Sequence, residues 1–358
     1  MRIGIVCPYS LSVPGGVQGQ VLGMARTMRA MGERVRVLAP CDGPPPDAGV
    51  TPLGASLPTA SNGSMAPIAP DISAQLRTIR ALRDEEFDVV HLHEPFVPGP
   101  TQTAILFKTA PLVATFHAAG DPPYGWFRPI VHRAARRLDV RCAVSEDARE
   151  AARLGLGGGD YRLLFNGVEV DQFAKATPWP TSGPTIFFLG RHEPRKGLAV
   201  LLQAMRRLPP DVHLWIGSDG PETAELQARY AGDPRLEWLG RISDEERAAR
   251  LRGADVFCAP SLGGESFGIV LLEAMAAETA VVASDLPGYA NVARAGLDAL
   301  LVAPGDAEAL AAALRRALHE PALAADLVAS GTERALHFSM ARLAEAYLAI
   351  YREVLAAR

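Results

Sequence analysis

The chain has 358 residues, of which 48% are hydrophobic, and a formal net charge of -4. That length exceeds one ordinary hydrophobic core and predicts two domains, while the acidic balance and scattered arginines exclude an electrostatic nucleic-acid binder. Cys7, Cys41, Cys142 and Cys258 stand far apart with no C-x-x-C pair, which argues against structural zinc and a disulfide framework and predicts a reducing, cytoplasmic setting.

Residues 3–7 form an apolar run ended by Pro8. It is too short for a signal peptide or a membrane span, so any membrane contact is expected to be peripheral. It reads as a first strand, followed by Tyr9 and the loop Val13-Pro-Gly15-Gly16-Val17, then a helix beginning near Gln18. Paired glycines let backbone approach a diphosphate closely. The loop is not G-x-G-x-x-G, and a plain tight turn stays open as the alternative.

Further apolar runs at 35–38, 89–92, 112–116 and 140–144 alternate with amphipathic stretches, the pattern of a parallel α/β sheet. Ligands of such sheets bind beyond the carboxyl ends of the strands. His117 follows the run at 112–116 and is expected to project there, positioning an acceptor or donating a hydrogen bond to a sugar. His91 and His93, ahead of Glu94-Pro95, compete for that role, but a lone histidine is more often structural and neither spacing makes a metal site. The loop at 118–128 holds Asp121, Tyr124 and Trp126; it closes over an acceptor or packs its aromatics on a following helix.

After Asn166-Gly167 a stretch rich in Pro, Thr and Ser at 174–184 reads as a linker. Runs at 186–189, 213–216, 236–239, 256–259 and 280–283 then repeat the theme. Two doubly wound, Rossmann-like domains are expected at 1–173 and 174–338. A final amphipathic helix at 339–358, with apolar Leu343, Tyr347, Ile350, Tyr351 and Val354, is expected to pack back on the first domain.

The loop after the run at 186–189 carries Arg191 and Lys196-Gly197. An arginine fork and a mobile lysine charge together stabilise a departing diphosphate without a metal; ordinary surface cations are the alternative. The stretch from Pro260 to Met275 is more informative. Gly263 and Gly264 permit a tight turn, and residues 268–277 read as a helix whose free N–H groups attract phosphate. Glu265 and Glu273 beside such a site suit hydroxyl groups of a sugar or ribose. A nucleotide sugar offers all three groups. Otherwise Glu265 caps the helix and Glu273 sits on a solvated face. Were the intervening residues all helical, eight steps would separate the carboxylates by about 12 Å, beyond the roughly 5–9.5 Å of glycoside hydrolase pairs. The spacing disfavours hydrolysis.

In order and spacing, Gly15-Gly16, Gly190-Arg191 with Lys196-Gly197, and Glu265 with Glu273 resemble retaining glycosyltransferases of family 4, over essentially the whole chain. The E-x7-E element is the most specific part. This resemblance implies the GT-B fold, two Rossmann-like domains facing a central cleft, and hexosyl transfer from a nucleotide sugar with no metal or other cofactor. Cys7-Pro-Tyr-Ser10, Val13 to Gln18, His93-Glu-Pro95, Ala114-Thr-Phe-His117 and Leu262 to Gly268 are similar, within the family, to an actinobacterial branch that moves mannose from GDP-mannose to the inositol ring of phosphatidylinositol.

By that resemblance Gly15 and Gly16 approach the diphosphate, Arg191 and Lys196 neutralise it, and Glu273 holds the ribose. Glu265, Ser266, Phe267, Gly268 and Ile269 hold the sugar. His117 lies beside the transferred sugar, and Tyr9, Gln18 and Asn62 line the acceptor side. Arg191, Lys196, His117 and Glu265 would carry catalysis, and backbone around Arg241 to Ser243 would read the base. The same apparatus would serve a soluble acceptor such as an inositol phosphate or a secondary metabolite. A sugar-nucleotide epimerase is the reading from another class, and the family 4 spacing argues against it.

Two departures stand out. Glu278 occupies a turn position where the family usually has Gly, and a Glu cannot take positive φ cheaply, so the turn is expected to differ. The branch's basic membrane-facing helix is represented at 70–84 by Arg77, Arg80 and Arg83 alone, opposed by Asp71, Asp84, Glu85 and Glu86. Weak attraction to anionic lipid follows, and a solvated helix face stays open as the alternative for the three arginines.

Overall fold

The computed structural model describes residues 1–13, 15–61, 64–118, 128–265 and 267–357. Asn62 and Ser266, expected on the acceptor and sugar sides, lie outside the described residues, as do Asp121, Tyr124 and Trp126. The chain forms two compact units, Met1–Gly167 with Met340–Arg358, and Val168–Ser339.

The first unit begins with β1 (Arg2–Val6), α1 (Gly16–Ala30), β2 (Arg34–Ala39) and β3 (Val50–Pro52), followed by an antiparallel hairpin of β4 (Leu57–Ser61) and β5 (Ser64–Ile68). It continues with α2 (Ile72–Asp84), β6 (Val89–His93), α3 (Pro100–Leu106), β7 (Leu112–Phe116), α4 (Arg128–Ala135), β8 (Val140–Ala143), α5 (Glu146–Leu156) and β9 (Arg162–Leu163). Seven strands pair in parallel in the order β3-β2-β1-β6-β7-β8-β9. Ile3, Ile5 and Val6 of central β1 are fully buried, as a strand covered by helices on both faces requires.

The second unit runs α6 (Val170–Ala174), β10 (Thr185–Leu189), α7 (Leu198–Met205), β11 (His213–Gly217), α8 (Thr223–Arg229), β12 (Leu236–Gly240), α9 (Asp244–Gly253) and β13 (Val256–Ala259). Then come α10 (Ile269–Ala276), β14 (Ala280–Ser284), α11 (Pro287–Ala290), β15 (Leu300–Val302), α12 (Ala307–His319) and α13 (Pro321–His337). Its parallel sheet has the order β12-β11-β10-β13-β14-β15. The final helix, α14 (Met340–Ala356), returns to the first unit. There Tyr347, Leu348, Ile350 and Tyr351 share a core with Ile3, Ile5, Val21 and Met24.

The expected apolar runs coincide with β1, β2, β6, β7, β8 and with β10 to β14. The short β3, β9 and β15 and the hairpin have little apolar alternation of their own, and tertiary pairing supplies them. The first break lies between Gly167 and Val168, ahead of the expected 173/174 boundary. Phe173 of α6 is buried beneath the Arg247 guanidinium, 5.6 Å from its ring centroid, which ties α6 to the second unit.

Strand order reverses at β1/β6 in one sheet and at β10/β13 in the other. Crevices for ligands open beyond the carboxyl ends of strands at such switch points. The loops that leave β1, β6 and β7 are therefore the candidate site loops of the first unit, and those that leave β10 and β13 are the candidate site loops of the second.

The expectation for the turn after α10 is overturned. Glu278 does adopt a left-handed conformation, φ +56°. Its N–H donates to the Met275 carbonyl at 3.1 Å and the Thr279 N–H to that of Ala274 at 3.0 Å, closing the helix as a glycine would. The strain of a non-glycine here is about 1 kcal/mol, and a 2.7 Å ion pair from Arg252 to the Glu278 carboxylate accompanies it.

Candidate active site

In the second unit the loop after β10 passes through a 3-10 turn, Pro194–Lys196, and ends at Gly197, which takes φ +69° and starts α7. A Cβ on Gly197 would lie 1.9 Å from the Pro260 carbonyl oxygen, so only glycine lets this loop press against the loop after β13. The Leu262 N–H donates to the Arg195 carbonyl at 2.7 Å and ties the two loops together.

This close approach brings Lys196 to Glu265. Lys196 Nζ lies 2.6 Å from Glu265 Oε1, and Arg195 approaches the same oxygen at 3.6 Å. Ser261 Oγ donates to it at 3.0 Å and meets the Tyr289 hydroxyl at 3.0 Å. Glu265 thus does not cap α10; Gly268, at φ +90°, is the N-cap and has no side-chain cap bond. A Cβ on Gly268 would meet the Tyr289 ring at 2.7 Å. The first turn of α10, with Ile269 at its start, therefore leaves backbone N–H groups for an anion. Phe267 is buried and packs edge-on against Phe338 at 5.7 Å.

Arg191 stands at the rim of this cluster, half exposed, with its guanidinium 3.1 Å from Glu193; Arg195 binds the other Glu193 oxygen at 3.0 Å. Glu273 lies a helical stretch further on, its side chain only 13% exposed and 3.5 Å from Arg247 of α9. Burial raises its pKa, with Arg247 opposing and Asp244 adding to the rise. It is therefore not on a solvated face. The helix occupies only part of the interval between the two glutamates, so the all-helical 12 Å spacing does not describe it.

In the first unit Gly15 is the N-cap of α1, in extended backbone with φ -171°. A Cβ there would lie 2.4 Å from Gln18 Oε1, so a larger residue would displace that side chain. Gln18 is buried and its amide donates to the Ser10 carbonyl at 3.4 Å, so it supports the loop from within. Gly16 faces open space. Tyr9 bridges to Ile68 of the hairpin.

The histidines expected to compete are joined. His93 Nδ1 lies 2.8 Å from His117 Nε2, and the His91 ring packs tilted against His93 with centroids 4.4 Å apart. His91 is held on both sides, Nδ1 at 2.7 Å from the Tyr351 hydroxyl and Nε2 at 2.7 Å from Thr115 Oγ1. The Tyr347 hydroxyl meets Thr115 Oγ1 at 2.8 Å. Glu94, at φ +48°, turns its buried carboxylate to accept the backbone N–H groups of His117 at 2.6 Å and Ala118 at 2.7 Å.

Burial pushes His91 and His117 down to about 3 and His93 well below its ordinary value, with neighbouring imidazoles adding to the shift at His91 and His93. His117 therefore works as a neutral hydrogen-bonding group at physiological pH.

Sequence reasoning missed Arg195, Ser261, Tyr289, Arg247 and Glu94. Glu94 sits in a noted motif, but its backbone-holding role shows only once β6 and β7 are paired. Arg195 and Ser261 lie inside the two loops already singled out, beside Lys196 and four residues before Glu265; Tyr289 and Arg247 are brought in by helices distant in sequence and carry no local signal. Among the described residues no group of three or more His, Cys, Asp or Glu side chains is placed to hold a metal ion, and no helix is long and apolar enough to cross a membrane.

Known proteins resemble this chain along nearly its full length. Residues 14–172 match the model of Glycosyltransferase Family 4, and residues 183–320 that of Glycosyl transferases group 1. A phosphatidyl-myo-inositol mannosyltransferase from Mycobacterium leprae is 41% identical over 99% of this chain and 97% of its own length. The enzyme of that name from Mycolicibacterium smegmatis is 41% identical over 99% of this chain and 94% of its own. Among solved structures, sucrose-phosphate synthase from Thermosynechococcus elongatus superposes with a TM-score of 0.77 at 21% identity, covering 100% of both chains. Two switch-point crevices, a lysine–glutamate pair after β10 and β13, and similarity along nearly the full length lead to one assignment: the chain belongs to glycosyltransferase family 4 and has the GT-B fold.

Proposed function

We propose that the protein transfers mannose from a nucleotide sugar, GDP-mannose, to the inositol ring of phosphatidylinositol with retention of anomeric configuration. The observation that carries this reading is the 41% identity with mycobacterial phosphatidyl-myo-inositol mannosyltransferases across 99% of the chain. In the step, the sugar C1–O bond to the diphosphate breaks while a C1–O bond to an inositol hydroxyl forms on the same face. The hydroxyl proton passes to the departing diphosphate.

Lys196 and Arg191 neutralise charge growing on the leaving diphosphate, and the α10 N-terminus and the Gly15-Gly16 backbone add N–H donors. Glu273 accepts from ribose hydroxyls and Glu265 from the sugar, while His117 hydrogen-bonds the sugar near its reacting end. Two side-chain cations and helix N–H groups supply the charge stabilisation that a metal gives elsewhere, so turnover is expected to survive chelation.

The reading places the protein in the cytoplasm and on the membrane's inner face. Its contact there is more apolar than cationic. On the outward face of α2, Ile72 is 74% and Leu76 61% exposed. Arg77 is spent on the Leu53 carbonyl at 3.1 Å, and Arg80 and Arg83 both pair with Asp84 at 3.3 Å. That pairing favours a second reading in which the acceptor is a soluble inositol phosphate.

The test is mass-spectrometric product detection with GDP-mannose and, in parallel, phosphatidylinositol vesicles or soluble inositol phosphates. A mannosylated lipid is expected. Product from the soluble acceptor alone moves the assignment to the second reading, and product from neither overturns the proposed donor and acceptor together.

A further inference from the structure

We propose that His93 is a positioning residue that locks His117 in the tautomer protonated on Nδ1, so that His117 presents a hydrogen-bond donor to the reacting sugar. What the donor meets rests on the mannosyl-transfer reading; the tautomer itself does not.

His93 Nδ1 and His117 Nε2 face each other at 2.8 Å, and a hydrogen bond between two neutral imidazoles holds one proton there. If it belongs to His117, then the His93 proton must sit on His93 Nε2. That nitrogen is buried and has no hydrogen-bond partner among the described residues. Orphaned buried N–H groups are the rarer defect in native backbones, and the same preference is taken to decide this ring. The proton therefore belongs to His93 Nδ1, His117 Nε2 accepts it, and the one proton of neutral His117 is left on Nδ1.

Among the described residues the surroundings offer no competing arrangement. His91 cannot exchange with His93, because both of its nitrogens are engaged by Tyr351 and Thr115. Glu94 Oε1 accepts two backbone N–H groups, from His117 and Ala118; it fixes the main chain from which the His117 ring projects. His93 is 2% exposed, which keeps water from rescuing its Nε2. Burial also disfavours a charged imidazolium at either ring, so the proton count of the neutral pair holds at physiological pH. The polar chain from Tyr347 and Tyr351 of α14 through Thr115 and His91 forms a wall against which His93 is packed. A partnerless nitrogen is maintained there because the useful end of His93 is the other one.

The experiment is nitrogen-15 NMR of the full-length protein with labelled histidine, with His117 assigned by its loss in His117→Asn. The wild-type His117 ring is expected to show a protonated Nδ1 and a bare Nε2; the reverse pattern overturns the proposal. His93→Asp offers only an acceptor at nearly the same position. It is expected to move the His117 proton to Nε2 and to lower kcat about tenfold or more, with a smaller change in KM for the donor. His93→Asn, of the same shape but able to donate, is expected to restore the Nδ1 proton and most turnover. If a buried Asp prevents folding, His93→Leu carries the test. Loss of the single tautomer supports the lock, and an unchanged Nδ1–H population overturns it. Asp and Asn variants with equal turnover despite opposite tautomers would remove the catalytic consequence. Absence of mannosyl transfer in the wild type would sink the proposed reaction and leave the tautomer measurement intact.

Discussion

Lys196 Nζ and Glu265 Oε1 lie 2.6 Å apart, so the cation expected to meet the diphosphate and the carboxylate expected to meet the sugar are ion-paired across two loops. On the proposed reading a donor would find the lysine already oriented, with Arg195 and Ser261 holding the same carboxylate oxygen. Such preorganisation is the main way a protein stabilises charge that develops on a leaving group.

Lys196→Ala is expected to lower kcat about 10²- to 10³-fold while circular dichroism and the thermal midpoint stay near wild type. Glu265→Gln, which leaves the lysine without its carboxylate, is expected to affect both KM for the donor and kcat. Unchanged turnover in Lys196→Ala would remove that residue from the leaving-group role.

Gly197→Ala tests the contact between the loops. The methyl group would sit 1.9 Å from the Pro260 oxygen at a backbone of φ +69°, a strain of about 1–3 kcal/mol. A lower denaturant midpoint and a weaker donor affinity are expected together; loss of neither would show that the loops can separate without consequence.

Glu273 gives a pH dependence of known sign. Burial raises its folded-state pKa above the ordinary value of 4.5. The ionised form therefore costs stability above the folded-state pKa, and that cost is relieved as pH falls toward the unfolded value. On the proposed reading the ionised carboxylate is the form that accepts from the ribose hydroxyls. Donor KM is expected to rise as pH is lowered, starting above the ordinary carboxylate range, and this acid limb should vanish in Glu273→Gln, whose KM is high throughout. A limb that persists in the variant would assign it to another group.

Glu278→Gly is expected to stabilise the protein by up to about 1 kcal/mol, less whatever the Arg252 ion pair contributes. Thermal unfolding reads the gain, and mannosyl transfer should not change. A lower midpoint would mean that the ion pair outweighs the strain.

Ile72→Ser with Leu76→Ser is expected to reduce sedimentation with phosphatidylinositol vesicles at least about tenfold, since each buried aliphatic side chain is worth roughly 1.5–3 kcal/mol. Raising the salt concentration should do little, because Arg80 and Arg83 are paired with Asp84. A strong salt dependence would point instead to the charges.

The parallel α/β class and the position of the site loops were legible in the linear chain. A strand buried on both faces must be an apolar run, and a phosphate loop must follow one, so β1, β7, β10 and β13 and the loops behind them announce themselves locally. The last helix was legible in the same way, since Tyr347, Ile350, Tyr351 and Val354 fall on one face of a helix. Its polar role was not. That the Tyr351 hydroxyl would hold His91, 260 positions away, depends on how α14 lands on the sheet. Likewise no local pattern joins Lys196 to Glu265 or His93 to His117, or turns Glu278 into a left-handed residue. Apolar periodicity is imposed by burial and repeats within each element, whereas a hydrogen bond or an ion pair needs two particular atoms within about 3 Å, and only the packing of distant elements brings those atoms together.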